Sequence, residues 1–258
     1  MVDRATQQLT NRLGCSEEEW AMRVQLAACY RIFSHMGWAE LIYNHITAKV
    51  PGPDHHFLIN PYGLHYDEVC ASNLVKIDLK GNVVGASDYP VNPAGFVIHS
   101  AIHEARPDVV CIAHTHTTDG MAVACREGGL RCDNFYSCLL AGQVAYHDFE
   151  GITVHPEEKG RLIASLGQKN HLVLRHHGLL TCGPDIAATF QFMWALQRSC
   201  EIEVAAAAGG AAVLPIAEEI ASFSASSVKV MAMGGNWGQL EFAAMTRRID
   251  RIDPSYKI

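Results

Sequence analysis

Apolar residues recur at two distinct periods along the 258-residue chain. Trp20, Val24, Ala27, Ala28 and Ile32 are spaced three to four apart, which predicts an amphipathic helix. Ser16 with Glu19 reads as a capping box at its start, and Gly37 marks its end. The segments LIYNHITAKV (41–50) and HFLIN (56–60) read as strands parted by the turn PGPD. LVKIDLKGNVVG (74–85) reads as a hairpin, with Lys80-Gly81-Asn82 supplying the positive-φ residues. Asn92 as cap and Pro93 at the first helical position predict a helix to about Ala105. A buried strand over 109–114 follows, then a helix over roughly 117–127, a short helix in NFYSCLLA and a strand in QVAYH. Next come a helix from Pro156 to Gly167, a second buried strand in HLVLRH (171–176) and a long helix from about Pro184 to Ala208. Residues 215–258 carry helical patches and finish in the polar RRIDRIDPSYKI.

Strands interleaved with helices, the early ones in hairpin order, predict one α/β domain with a mixed sheet covered on both faces. Residues 1–15 read as a flexible arm, 16–210 as the domain, and 211–258 as a helical tail packing on it or on a neighbouring subunit. No GxGxxG or P-loop is present, so a nucleotide-binding fold has no support. A formal charge of −7 without a Lys/Arg run argues against nucleic acid or an anionic membrane as partner. The polar N-terminal stretch and the lack of any membrane-length apolar run point to a cytoplasmic protein. Nine scattered cysteines without a CxxC pair read as reduced thiols, neither a disulfide framework nor a cysteine zinc site.

The chemistry concentrates in CIAHTHTTDG (111–120), where His114 and His116 stand one residue apart at the end of a buried strand. Alternation puts both side chains on one face. Two converging imidazoles suit a divalent transition metal, and the best source of a third is RHHGLL (175–180). The plainer reading is of polar residues that cap strand ends. His99 and His103, four apart on one helix face, can bind metal or simply support the site beside them.

The run from about residue 20 to 210 resembles the class II aldolase/adducin family. YNHITAK, PYGLHYDEV, LVKIDLKGNVV, FVIHSAIHEARPDVVCIAHTHT and LRHHGLLTCG before a long helix carry the likeness, which is more specific than a lone HxH. It implies a three-layer α/β/α sandwich with a mixed, largely antiparallel central sheet, commonly assembled as a ring-shaped homotetramer with sites between subunits. It also implies that His114, His116 and His177 hold a divalent metal, zinc first, with Mn, Fe or Co as alternatives. Tyr136 in NFYSCLLAG matches a tyrosine that donates a proton to the neighbouring subunit's site.

The chain departs from the family's aldolases in instructive places. They carry an acidic residue one helical turn before the histidine matched by His99; here that position is Gly95. Their phosphate-holding segments correspond to Asn44-His45-Ile46-Thr47, Pro61-Tyr62-Gly63 and Pro93-Ala94, where only Thr47 keeps a hydroxyl and His45 and Tyr62 are bulky. The expectation is therefore a metal-dependent carbon–carbon lyase, of decarboxylase or aldolase type, acting on a small oxo- or hydroxy-acid and not on a sugar phosphate. Tyr136 and His99 are its candidate catalytic residues. His45, Thr47, Tyr62 and Gly63 are its candidate substrate contacts, with His65 helping to shape the pocket. The other reading is a non-catalytic adducin-like interaction module that retains a structural metal, since YNHIT, FVIHSAI and CEIEV are adducin-like.

Overall fold

The computed structural model describes residues 11, 13–152, 157–210, 212–231 and 237–258. Seven strands form one sheet: β1 (His45–Lys49), β2 (Phe57–Ile59), β3 (Val75–Ile77), β4 (Cys111–Thr115), β5 (Val144–His147), β6 (His171–Leu174) and β7 (Gly178–Gly183). Their order across the sheet is β3-β2-β1-β4-β7-β6-β5. Every neighbouring pair is antiparallel except β5 with β6, so the sheet is mixed and largely antiparallel.

The described helices are α1 (Glu17–His35), α2 (Pro93–Ala105), α3 (Thr118–Ala124), α4 (Phe135–Leu139), α5 (Glu158–Leu166), α6 (Ile186–Ala207), α7 (Glu218–Met231) and α8 (Gln239–Ile252). Strand alternation sorts them into layers. Cys111 and Ala113 on β4 join Ile46, Ala48 and Leu179 in a core with Phe33 of α1, Phe190 and Met193 of α6, and Phe242 and Ile249 of α8. Ile112, one residue out of phase, joins Leu172, Leu174, Leu180 and Cys182 beneath Ile98 and Ile102 of α2 and Leu162 and Leu166 of α5. Each large apolar side chain buried this way contributes about 1.5–3 kcal/mol. His114 shares the parity of Ile112, so the chain's period-two pattern delivers it to the α2 side. The expected α/β/α sandwich is the observed fold.

Local chemistry explains where the predicted boundaries shift. Ser16 caps α1 by accepting from the Glu19 amide. The Glu19 carboxylate, however, is held by Arg23 and Lys76, both at 2.9 Å, so it does not complete the capping box. Residues 41–43 form a turn, and β1 begins only at His45. The expected hairpin over 74–85 shrinks to β3 and a single bridge between Ile77 and Val83, with Asp78 collecting the turn amides of Lys80 and Asn82. Of the expected positive-φ residues Lys80, Gly81 and Asn82, only Gly81 adopts it, at 84°.

The largest surprise is β7, which follows β6 after three residues and was not expected as a strand. His176 makes that reversal possible by adopting φ 56°, while the His177 amide donates to the Leu174 carbonyl. The helix start expected at Pro156 lies outside the described residues, and so does most of the arm expected over 1–15. All nine cysteines are free. Among the described residues no helix is long and apolar enough to cross a membrane.

The C-terminal segment closes back on the first helix. The Ala71 and Ser72 amides donate to the carbonyls of Tyr256 and Ile258, both at 2.8 Å, and Arg31 of α1 pairs with Asp253 at 2.9 Å. Tyr256 is buried there, with its hydroxyl on Asp250.

Candidate metal centre

The site forms where β4 ends, on the sheet face beneath α2. His114 is the penultimate residue of β4, and His116 follows one residue beyond the strand. His177 comes from the β6–β7 turn and is brought alongside because β7 pairs with β4 in a register that opposes Leu180 to His114. One ring nitrogen from each histidine lies within 4.8 Å of the others, making this a set that could hold a metal ion. The Nε2 atoms of His114 and His116 approach to 2.7 Å, and the His114 and His177 ring centres to 4.8 Å.

The donor set suits a divalent metal for three reasons. His114 Nδ1 lies 2.9 Å from the Leu179 carbonyl, to which it donates, leaving Nε2 unprotonated with its lone pair facing the cluster. Burial holds the His114 imidazole well below its ordinary pKa, helped by the neighbouring His116, His177 and His45. Burial likewise lowers His116 and, with His116 beside it, takes His177 down to about 4. All three rings are therefore neutral at pH 7, as metal ligation requires. Three protein ligands leave part of a tetrahedral shell open, which is the pattern of a catalytic zinc site.

Behind the three histidines runs a buried polar chain. His45 Nδ1 lies 3.0 Å from His99 Nε2, His99 Nδ1 2.8 Å from Thr47 Oγ1, and Thr47 Oγ1 2.9 Å from His103 Nε2. His45 and Thr47 share a face of β1, while His99 and His103 are one turn apart on α2, so strand and helix periods mesh. Thr47 and His99 are buried with these groups engaged, and among the described residues His99 connects to the centre through His45.

The remaining candidates stand elsewhere. Tyr136, on α4, packs edge-on against Trp194 of α6 with ring centres 5.1 Å apart. Tyr62 is half-buried with its amide on the Pro90 carbonyl, and Gly63 occupies a turn at φ 106°. His65 caps the short 3-10 turn Tyr66–Glu68, accepting from the Asp67 amide. Sequence reasoning did not find Gly178. A Cβ there would sit 3.1 Å from His116 Cδ2 and against the Thr115 carbonyl oxygen, so glycine is needed for β7 to reach β4.

With this fold and site established, the chain belongs to the family of the class II aldolase and adducin N-terminal domain, whose pattern covers residues 24–204. A Pseudomonas aeruginosa protein named after class 2 aldolases is 46% identical over 244 residues, 94% of each chain. An aldolase II superfamily protein from Pseudomonas syringae superposes with a TM-score of 0.88 at 41% identity, covering 96% of this chain and 100% of that one. The L-fuculose 1-phosphate aldolase of Glaciozyma antarctica superposes with a TM-score of 0.79 at 29% identity, covering 96% of both chains.

That last likeness overturns the expectation of a lyase for small oxo- or hydroxy-acids that excludes sugar phosphates. The exclusion assumed that phosphate needs particular hydroxyl side chains and that the bulk of His45 and Tyr62 fills its space. Backbone amides and helix N-termini hold phosphate without hydroxyls.

Proposed function

We propose that the chain is a divalent-metal-dependent aldolase-type lyase that breaks or forms a carbon–carbon bond in a phosphorylated sugar. The observation that carries this reading is the convergence of three neutral imidazoles, with His114 Nε2 preset by its partner at Leu179. The likeness to an L-fuculose 1-phosphate aldolase supports the phosphorylated substrate. Zinc matches the donor set, and a metal held there supplies a Lewis acid for an oxygen next to the bond that breaks. His116 and His177 complete the binding set from two different loops, so the site depends on β4 and β7 staying paired. Tyr136 serves as proton donor across a subunit boundary, in a ring homotetramer that light scattering would reveal.

Gly95 favours a second reading, a non-catalytic module that keeps its metal, because no carboxylate projects from that position. Elemental analysis of chelator-stripped and zinc-reloaded protein, coupled to aldehyde release from a panel of phosphorylated ketoses, separates the readings. The expected result is one metal per chain, lost in both His114→Ala and His177→Ala, with metal-dependent turnover. Failure of wild type to take up zinc would overturn both readings. Full occupancy without turnover on any phosphorylated sugar would select the second.

A further inference from the structure

The place beside Gly95 is filled by a ring. A Cβ on Gly95 would stand 2.6 Å from His45 Nε2 and 2.7 Å from its Cγ, and would press on its Cδ2. Position 95 therefore admits only hydrogen while His45 keeps its rotamer. His45 lies directly across from His114 in the β1–β4 register. Opposed residues of antiparallel strands share a face, and here the two ring centres are 5.1 Å apart. His45 is nonetheless outside the set whose nitrogens lie within 4.8 Å of one another. It is next to the metal centre without belonging to the ligand triad.

The hydrogen bonds decide which end of the ring is available. Nδ1 is committed inward to His99, which leaves Nε2 on the side toward Gly95. Thr47 bonds both His99 and His103, and because its one hydroxyl proton has no other acceptor among the described residues, it donates to one ring and accepts from the other. The hydrogens of the chain His45–His99–Thr47–His103 consequently point all one way or all the other, and every ring is neutral in both arrangements. In one, His45 Nε2 carries a hydrogen; in the other it offers a lone pair.

We propose that His45 is a positioning residue of the metal centre, its Nε2 hydrogen-bonded to the exogenous oxygen or nitrogen ligand in the metal's open position and its ring orientation set by His99, Thr47 and His103. The inference rests on the metal-centre reading above and adds to it the group that does outer-sphere work in the acid's absence. Such partners of a metal site typically change affinity or activity by about 10–100-fold when removed. A ring that can present either a hydrogen or a lone pair suits a ligand whose oxygen changes between hydroxyl and carbonyl, as in a carbon–carbon cleavage.

The test uses full-length protein loaded with Co²⁺ and titrated with azide, read by visible absorption. His45→Gln keeps an amide near the Nε2 position, His45→Asn keeps one near Nδ1, and His45→Phe keeps only the ring volume. All three are expected to take up one Co²⁺ per chain. Azide affinity should fall about tenfold in His45→Asn and His45→Phe, and His45→Gln should recover it to within about twofold of wild type. Equal azide affinity in wild type and all three variants overturns the inference, and so does a Gln variant no better than Asn. Loss of Co²⁺ uptake in His45→Phe would make His45 a ligand, which also overturns it. No uptake by wild type instead overturns the metal-centre reading. Should the variants fail to fold, long-range ¹H–¹⁵N spectra of ¹⁵N-histidine wild type loaded with Zn²⁺ decide the matter. The His45 Nε2 resonance is expected to move on adding azide, and an unmoved resonance refutes the role.

Discussion

Replacing Gly178 by alanine tests whether the metal centre depends on how closely two strands pack. The added carbon would meet His116 Cδ2 at 3.1 Å and the Thr115 carbonyl carbon at 3.3 Å, with the Thr115 oxygen nearer than 3.0 Å. A backbone oxygen in a paired strand has no rotamer by which to escape. Relief has to come from β7 moving away from β4 at the end where Thr115 faces Leu179. That motion also lengthens the 2.9 Å bond from His114 to the Leu179 carbonyl. Overpacking of this kind costs about 1–3 kcal/mol, and a weakened internal hydrogen bond adds about 1 kcal/mol. The total of about 2–4 kcal/mol corresponds to a fall of about 4–16 °C in melting temperature for a domain of this size. Zinc affinity should drop by about 10–100-fold, because His116 and the partner of His114 are displaced together. Circular-dichroism melts of stripped protein and zinc competition against a chelator measure the two effects separately. A variant melting within about 1 °C of wild type and holding zinc within about twofold would refute the argument.

Other outcomes follow from buried groups away from the centre. Burial holds the His171 imidazole at about 4 against 6.5 in the unfolded chain. Above pH 6.5 both states are neutral and stability is full. Between 6.5 and 4 only the unfolded state takes the proton, so stability falls by about 1.4 kcal/mol per pH unit, about 3 kcal/mol in all. Urea melts should show a pH slope shallower by about 1 kcal/mol per pH unit in His171→Gln between pH 6.5 and 5, and parallel slopes would contradict it. Glu203, fully buried on α6, receives Arg126 at 2.7 Å and the Arg131 amide at 2.8 Å. Glu203→Ala should cost about 2–3 kcal/mol in chemical denaturation, since an amide bond to a charge is lost, and a neutral result would count against it. Tyr136→Phe should lower kcat on the phosphorylated substrate with zinc content unchanged; wild-type turnover would remove its role as proton donor.

Legibility in the sequence tracked how local each determinant is. The pairing of His114 with His116 needs only strand alternation, and the helix from Pro93 to Ala105 needs only Asn92 and proline, so both could be read directly. Residue chemistry could point only to the segment RHHGLL for a third ligand, and the choice of His177 within it came from the family resemblance, because its approach depends on β7. That strand was missed because the reversal before it contains no glycine or asparagine at the left-handed position, which His176 occupies instead. The network behind the site was half visible: His99 and His103 at helical spacing, His45 and Thr47 at strand spacing. Their meeting depends on how α2 lies on β1, a tertiary fact that no periodicity carries. The sugar-phosphate question was misjudged for a related reason, since phosphate recognition can rest on backbone that leaves no residue signature.

The clasp between the C-terminal segment and α1 bears on how the protein folds. Its ion pair joins residues 222 positions apart, and closing so long a loop is entropically unfavourable until the sheet is already in place. That separation places the clasp among the contacts expected to form after the sheet strands β1, β4 and β7 have paired. Interactions absent from the transition state govern escape from the native basin far more than entry into it. Breaking the clasp at Arg31, Asp253 or Tyr256 is therefore expected to speed unfolding and leave the folding rate unchanged, which stopped-flow chevrons would measure.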